Sequence, residues 1–288
     1  LGMIPYYTVR DMYDTNISVV NTSSTYVAAF KIRFREGSNS RDARDFNVFL
    51  SPNDVWTATV TMGPDGETPV IRTADSSCTS PGVSASGFTV VGQTPDGRDI
   101  KEIAMTNIAY AGGSLFPADG GPTSIERAQE GYVAVYEMGV ADPAESPLAA
   151  AAVHNAATPA IPADCGLINA VQVGSQSITV TGSALGCEAD TNFSIGDSAR
   201  DTEAFNAEYC EPLNILKVAS NLIKVDEGVA AGMPMYMLSN WVNPDTVEDP
   251  AAPASLDVFR APASEQPNVG QTTPAVSVQV ANGVPVTE

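Results

Sequence analysis

The chain has 288 residues, of which 43% are hydrophobic, and its 34 acidic and 14 basic residues give a formal net charge of −20. This hydrophobic content is enough for one large or two ordinary packed domains and argues against wholesale disorder. Such an acidic chain repels nucleic-acid phosphates and anionic lipids, and no apolar run approaches the roughly 20 residues that span a bilayer. We therefore expect neither a nucleic-acid partner nor membrane insertion.

The first third of the chain is rich in short strand patterns. Residues 17–20 and 26–35 are dominated by β-branched and aromatic side chains, and the turn-forming residues 21–24 separate them. In the second run apolar and basic residues alternate. This alternation predicts a strand that carries Phe30, Ile32 and Phe34 on one face and Lys31, Arg33 and Arg35 on the other.

Similar patterns, with turn residues between them, recur up to residue 138. They lie at residues 46–50, 56–62, 70–72, 87–91, 103–109 and 132–138. Short strands at this spacing are typical of a β-sandwich, either Ig-like or jelly-roll-like. We therefore predict an all-β fold in which residues 1–140 form an N-terminal β-sandwich domain.

The rest of the chain divides by composition. Residues 141–163 are rich in alanine and proline and are predicted to be a join that holds a short helix or a linker. Residues 164–248 are predicted to be a second β-rich part, either separate or packed on the first, with strand patterns at 170–173, 177–181, 213–218 and 235–238. Residues 249–274 are proline-rich and are predicted to be an extended arm.

After this arm, residues 275–288 begin with an isolated alternating strand. Val276, Val278 and Val280 share one face, and a single strand is stable only when it pairs with a sheet. The strand could fold back onto its own domain, or it could complete the sheet of a neighbouring subunit by strand addition. The extended segment Leu1–Val9 is a second candidate for such a donor strand.

The four cysteines, Cys78, Cys165, Cys187 and Cys210, are even in number and include no CxxC pair. With one histidine in the chain, a Cys/His zinc site is not expected. Two disulfides in one of three connectivities fit an exported protein. Because Cys165 and Cys187 flank a strand pattern, we favour a local bridge between them.

The sequence contains no catalytic signature. The GxSxG, GxGxxG and GxxxxGK[ST] motifs are all absent, and carboxylate pairs such as Glu126 and Glu130 are expected by chance in so acidic a chain. A serine hydrolase would need His154, which lies in the Ala/Pro-rich join and is expected on the surface. We predict that the protein is not an enzyme.

Calcium is the one cofactor that the sequence leaves open. Asp65, Asp96, Asp99 and Asp119 lie in acidic turns, and loop carboxylates suit Ca²⁺. Asp-Gly is also a common turn pair for backbone reasons alone. We therefore predict no cofactor and keep these four residues as weak calcium candidates.

The basic residues Lys31, Arg33 and Arg35 are concentrated on one strand, in a chain with few basic residues. They could bind the acidic surface of an identical copy and so help self-assembly. Alternatively, they could pair within the chain with the nearby Glu36, Asp42 and Asp45.

Residues 5–60, PYYTVRDMYDTNISVVNTSSTYVAAFKIRFREGSNSRDARDFNVFLSPNDVWTATV, resemble the start of uncharacterised, secreted, β-rich surface proteins of proteobacteria, and GYVAVYEMG at 131–139 resembles a second shared block. The resemblance covers roughly the first half of the chain, which is consistent with one sandwich domain. It implies export by a bacterium and an extracellular or cell-surface location. It implies no activity and no catalytic residue.

From this architecture we predict a structural subunit of an extracellular filament, pilus-like fibre or surface layer. The expected partners are identical subunits, held non-covalently by strand addition through Val276, Val278 and Val280. The alternative is a secreted adhesin or carbohydrate-binding module, possibly dependent on calcium. In that case Tyr6, Tyr7 and Tyr13 could stack on sugars or pack in an interface, but we expect them to pack in the core or at a sheet edge.

Overall fold

The computed structural model describes residues 1–113, 116–172 and 212–238, and two short strands at 278–279 and 285–286. Two antiparallel sheets of six and seven strands pack face to face, and this architecture confirms the predicted all-β sandwich. In the described part of the chain no helix is long and apolar enough to cross a membrane.

The described strands, in chain order, are β1 (Gly2–Thr8), β2 (Asp14–Asn21), β3 (Val27–Glu36), β4 (Asp42–Leu50), β5 (Val55–Met62), β6 (Pro69–Thr73), β7 (Cys78–Ser80), β8 (Thr89–Gln93), β9 (Asp99–Ala104), β10 (Glu130–Ala141), β11 (Leu216–Lys224), β12 (Val229–Gly232), β13 (Tyr236–Met237), β14 (Val278–Gln279) and β15 (Pro285–Val286). The helices are α1 (Pro147–Ala152) and α2 (Cys165–Gln172), and short 3₁₀ helices lie at Arg10–Met12 and Ile125–Gln129.

The six-stranded sheet has the order β13-β1-β10-β3-β4-β7, and the seven-stranded sheet has the order β12-β11-β2-β5-β6-β9-β8. The strands between residues 212 and 238 therefore join both sheets: β11 pairs along β2, and β13 pairs with β1. The segment Leu1–Val9 was a candidate donor strand, but β1 lies inside its own sheet between β13 and β10. That prediction is corrected, because both edges of β1 are already paired.

The core between the sheets is built around an aromatic cluster. Phe30 and Phe34 of β3 point inward as the alternation predicts, and both are fully buried. The ring of Phe46 lies 5.8 Å from that of Trp56 on the opposite sheet and 5.0 Å from that of Phe88. Such edge-to-face pairs add about 0.5–1.5 kcal/mol each to the burial of apolar area.

The two helices form a second, smaller apolar cluster on β3 and β4, in which Leu148 of α1 and Ile168 of α2 are fully buried. Helix α1 begins at Pro147, just before the alanine run, where Ser146 Oγ accepts the Ala149 N–H at 3.0 Å. Helix α2 covers residues 170–172 of the strand predicted at 170–173, so that prediction is wrong for these residues; residue 173 lies outside the described part of the chain.

Helix α2 is fixed at its start by a disulfide between Cys78 of β7 and Cys165. The local bridge expected between Cys165 and Cys187 is therefore wrong: Cys165 pairs with a residue 87 positions earlier in the chain. Cys187 and Cys210 lie outside the described residues.

Replacing Cys78 and Cys165 together by alanine should lower the free energy of unfolding by about 2–5 kcal/mol, because a cross-link over a long loop restricts the unfolded chain. Guanidinium denaturation followed by tryptophan fluorescence would measure the loss. Non-reducing peptide mapping is the independent check: a fragment that links Cys165 to Cys187 would contradict the bridge seen here.

Candidate functional site

A two-sheet sandwich has four sheet edges, and three of those described here are protected. The edge strand β7 is covered by α2, through the disulfide and through Asn169 Oδ1, which accepts the Gly82 N–H at 3.0 Å. The edge strand β13 has only two residues, and β8 carries a bulge between Val90 and Gly92. Short length, bulges and covering elements are the usual means by which sheet edges avoid pairing with other chains.

Among the residues that the structure describes, no element covers the fourth edge, β12, and no bulge interrupts it. Its four residues, Val229-Ala230-Ala231-Gly232, are all exposed and include no proline and no charged side chain. Met233 N–H donates to Ser220 O, and in an antiparallel pair the bonded residues alternate. The N–H and C=O groups of Ala230 and Gly232 therefore point away from β11, toward the open edge.

The strand predicted to add to such an edge is only partly described. Val278 lies in β14, which pairs with β15 so that Val278 faces Val286, and this two-stranded sheet is separate from both large sheets. Val276 and Val280, and the arm at 249–274, lie outside the described residues. Strands of two residues have little stability of their own.

The basic residues of β3 do not form the predicted surface. Lys31 and Arg33 are 1% and 0% exposed: Lys31 Nζ donates to Asp45 Oδ2 at 3.1 Å, and Arg33 Nε donates to Asp42 Oδ2 at 3.0 Å. The interface prediction is corrected for these two residues, because their charges are neutralised inside the chain. Arg35, half-buried, donates to Ser40 O at 2.7 Å.

Burial governs the ionisation of this cluster. Desolvation lowers the pKa of Lys31 although Asp45 favours its charged form. Desolvation and the nearby Asp45 carboxylate raise the pKa of Asp42 although Arg33 opposes the rise. Carboxylates on β4 thus face cations on β3, as the intramolecular alternative predicted.

A second buried ion network centres on Arg127, which the sequence reasoning missed. Its guanidinium Nε and Nη2 donate to Glu36 at 2.7 and 2.9 Å, and Nη1 and Nη2 donate to Asp119 at 2.9 and 2.5 Å. The hydrogen bonds from Arg127 hold the pKa of Asp119 well below its usual range. They also lower the pKa of Glu36, although burial alone would raise it. Ninety-one positions separate Glu36 from Arg127, so no local pattern indicates that they meet.

Arg127 also lines an open groove of about 440 Å³ on the six-stranded sheet. Tyr6 and Tyr132 come from the adjacent strands β1 and β10, and Tyr6 donates its hydroxyl to Glu130 Oε2 at 3.0 Å. Arg10 lies 3.3 Å from Glu130 Oε1. The groove thus combines aromatic side chains with cationic and anionic hydrogen-bonding groups. Tyr7, by contrast, is buried in the core.

Each of the four calcium candidates is hydrogen-bonded within the protein. Asp65 accepts backbone N–H groups of its own turn, and Asp96 accepts the Arg98 guanidinium. Asp99 accepts the Gln93 amide, and Asp119 belongs to the Arg127 network. Over the described residues no group of three or more His, Cys, Asp or Glu side chains is placed to hold a metal ion.

His154 is not the surface residue that we expected. Its side chain is 18% exposed and lies in a groove formed by the β4–β5 turn, the segment after β6 and the segment after α1. Its ring nitrogens contact Ser51, Ser76 and Asp54. No sequence motif connects these four residues.

Comparison of the chain with protein-family models, curated proteins and solved structures found no match. The open edge and the two grooves are therefore interpreted from their own geometry and chemistry.

Replacing Arg127 by methionine should destabilise the fold by about 3 kcal/mol or more at pH 7, because the buried Glu36 would keep only backbone hydrogen bonds and Asp119 would keep only the more distant Arg41 as a cation. Both carboxyl groups have lowered pKa values, so their contribution is complete above the unfolded pKa of about 4 and is lost as the pH falls through the lower folded values. The difference between the wild type and R127M should therefore shrink below about pH 4.

Urea denaturation at a series of pH values measures this difference. The control is Arg98→Met, which breaks an exposed pair with Asp96 and should change stability by less than about 1 kcal/mol. If the difference in free energy of unfolding between the wild type and R127M stayed constant down to the lowest pH measured, the stability of the network would not depend on protonation.

Proposed function

We propose that the protein is an exported structural subunit that assembles non-covalently, by strand addition, into an extracellular filament or surface layer. The observation that carries this proposal is the open edge of β12. Outward N–H and C=O groups on a strand without charge, proline or bulge form a template for another strand. This assembly requires no catalytic step.

The proposed donor is the C-terminal strand of a neighbouring copy. Val276, Val278 and Val280 alternate along it, and the proline-rich arm before it provides reach. The described pair β14–β15 is bonded to neither large sheet. Two short strands gain stability when they extend an existing sheet.

Such a contact joins two different surfaces of the subunit. A head-to-tail interface of this kind repeats from copy to copy and gives an open polymer unless its rotation closes a ring. A charge of −20 on each copy opposes this association, and salt screens repulsion between exposed charges beyond about 10 Å at 0.1 M. Assembly should therefore be favoured by salt.

Replacing Ala230 by proline should abolish assembly and leave the subunit folded. Proline removes the outward N–H of residue 230, whereas the bonds between β12 and β11 use the alternate residues. Negative-stain electron microscopy and size-exclusion chromatography would compare the wild type, A230P and the control A230T, which keeps the N–H. Assembly of A230P at the wild-type level would exclude β12 as the acceptor.

The donor is tested separately by deleting residues 270–288. The expected product is a folded monomer that still accepts the C-terminal strand, so a synthetic peptide of residues 270–288 should bind it. The same peptide should not bind the deletion variant when this also carries A230P. If the truncated chain still polymerises, the donor lies elsewhere.

A second candidate function is glycan binding, as in an adhesin, and the groove at Tyr6 favours it. Sugar rings bind through aromatic faces and through hydrogen bonds to groups that both donate and accept. Tyr6, Arg10 and Glu130 lie together in the groove and are of these types.

If this second function holds, replacing Tyr6 by alanine should weaken binding to a glycan that the wild type binds on an array by about fivefold or more, since one aromatic contact is worth about 1 kcal/mol or more. The matched control is Tyr236→Ala on β13, which is exposed on the same sheet but does not line the groove. Equal binding by the wild type and Y6A, or no glycan bound by the wild type, would count against the groove.

A further inference from the structure

The groove that contains His154 brings together three side chains from distant parts of the chain. His154 Nε2 lies 3.0 Å from Ser76 Oγ, and His154 Nδ1 lies 3.2 Å from Asp54 Oδ2. A serine on one ring nitrogen and a carboxylate on the other is the arrangement that activates a serine hydroxyl. The order along the chain, Asp54, Ser76 and His154, has no bearing on this chemistry.

The hydrogen bonds of Ser51 determine which ring nitrogen carries the proton. Ser51 Oγ donates its single hydrogen to Ala152 O at 3.1 Å and accepts the backbone N–H of His154 at 3.0 Å. It lies 2.8 Å from His154 Nδ1, and only its remaining lone pair is available there. Nδ1 is therefore the donor, shared between Ser51 and Asp54, and the lone pair of Nε2 faces Ser76. Ser76 Oγ also lies 3.0 Å from Ala160 O, to which it donates in this geometry, so its hydroxyl must rotate toward Nε2 before it can transfer its proton.

The carboxylate side of this arrangement is charged. Although burial raises the pKa of Asp54, the hydrogen bond and the charge of His154 lower it below its ordinary value. An ionised Asp54 holds the Nδ1–H tautomer and stabilises the imidazolium that forms when Nε2 takes a proton. With Nε2 unprotonated, His154 can then act as a general base toward Ser76.

Ser76 is partly exposed in an open groove of about 490 Å³. Its walls include the small apolar residues Val55, Pro159 and Ala160, and the carboxylates Asp75 and Asp96 outnumber the cation Arg98. The field of these carboxylates repels anions. The groove therefore suits a small acyl ester that is neutral or cationic.

We propose that Ser76, His154 and Asp54 form a serine-esterase site that acts on small, neutral or cationic acyl esters. Ser76 Oγ forms a bond to the carbonyl carbon while its proton moves to His154 Nε2. The alcohol leaves with that proton, and an acyl-Ser76 ester forms. Water, deprotonated by His154, then attacks this ester, releases the carboxylic acid and returns the proton to Ser76. The activity is independent of the proposed assembly through β12.

The first test is covalent labelling of the full chain with a fluorophosphonate, in which Ser76 Oγ bonds to phosphorus and fluoride leaves. Peptide mapping should find the label on Ser76. Replacing Ser76 by alanine should abolish it, and Ser84→Ala, which changes an exposed loop serine, should leave it unchanged. An unlabelled Ser76 in the wild-type protein, under conditions that label a serine esterase, overturns the proposal without reference to any variant.

The role of His154 is tested by the rate of labelling. Because general base catalysis contributes about 10²–10⁴-fold, His154→Gln should slow labelling of Ser76 by at least about 10²-fold, and Asp54→Asn should also slow it. Circular dichroism would confirm that both variants are folded. Labelling of folded H154Q at the wild-type rate overturns the proposal.

The substrate class is tested with p-nitrophenyl esters. The wild type should hydrolyse the acetate faster than S76A does, and it should hydrolyse an ester with an anionic acyl group more slowly than the acetate. Equal acetate hydrolysis by the wild type and S76A overturns the esterase site, and a preference for the anionic ester overturns the assigned substrate class.

Discussion

The structure depends on a strand that is buried on both faces. Strand β3 lies in the middle of the six-stranded sheet, where its aromatic face packs in the core and its basic face is buried as well. A buried cation is tolerated only with a close counter-charge, and β4 supplies this with Asp45 opposite Arg33 and Asp42 opposite Arg35. A slip of one residue would turn the aromatic side chains away from the core and separate these charges, so the two faces specify the same register.

The sequence was sufficient for the sandwich because period-two alternation is a local signal. The inward positions of Phe30, Ile32 and Phe34 follow from it directly. It was not sufficient to tell a solvated basic face from a buried one, since Lys31 and Arg33 have the same alternation in either case. The nearby carboxylates allowed for intramolecular pairing but did not establish it.

The other differences arise where long-range contacts override local preference. The segment around Ala170 can form a strand or a helix. The disulfide at Cys165 and the hydrogen bond from Leu167 N–H to Asp164 Oδ1, at 2.9 Å, stabilise the helix. The side chains that contact His154 come from two other segments of the chain, one with Ser51 and Asp54 and one with Ser76. The sequence therefore showed a single histidine but gave no indication of its partners. Function was therefore harder to predict than fold, because both grooves are assembled from residues far apart in the chain.

The open edge and the His154 groove make different demands on the fold. An acceptor edge needs exposed backbone and few side-chain contacts, and the small residues Val229-Ala230-Ala231-Gly232 on the outermost strand meet that need. A hydrolytic centre needs side chains held in fixed orientations, and Ser51, Asp54 and Ser76 are fixed by hydrogen bonds on or beside paired strands. The edge lies on β12 and the groove lies at the β4–β5 turn, so neither feature uses the residues of the other. One sandwich can therefore support assembly and chemistry at the same time.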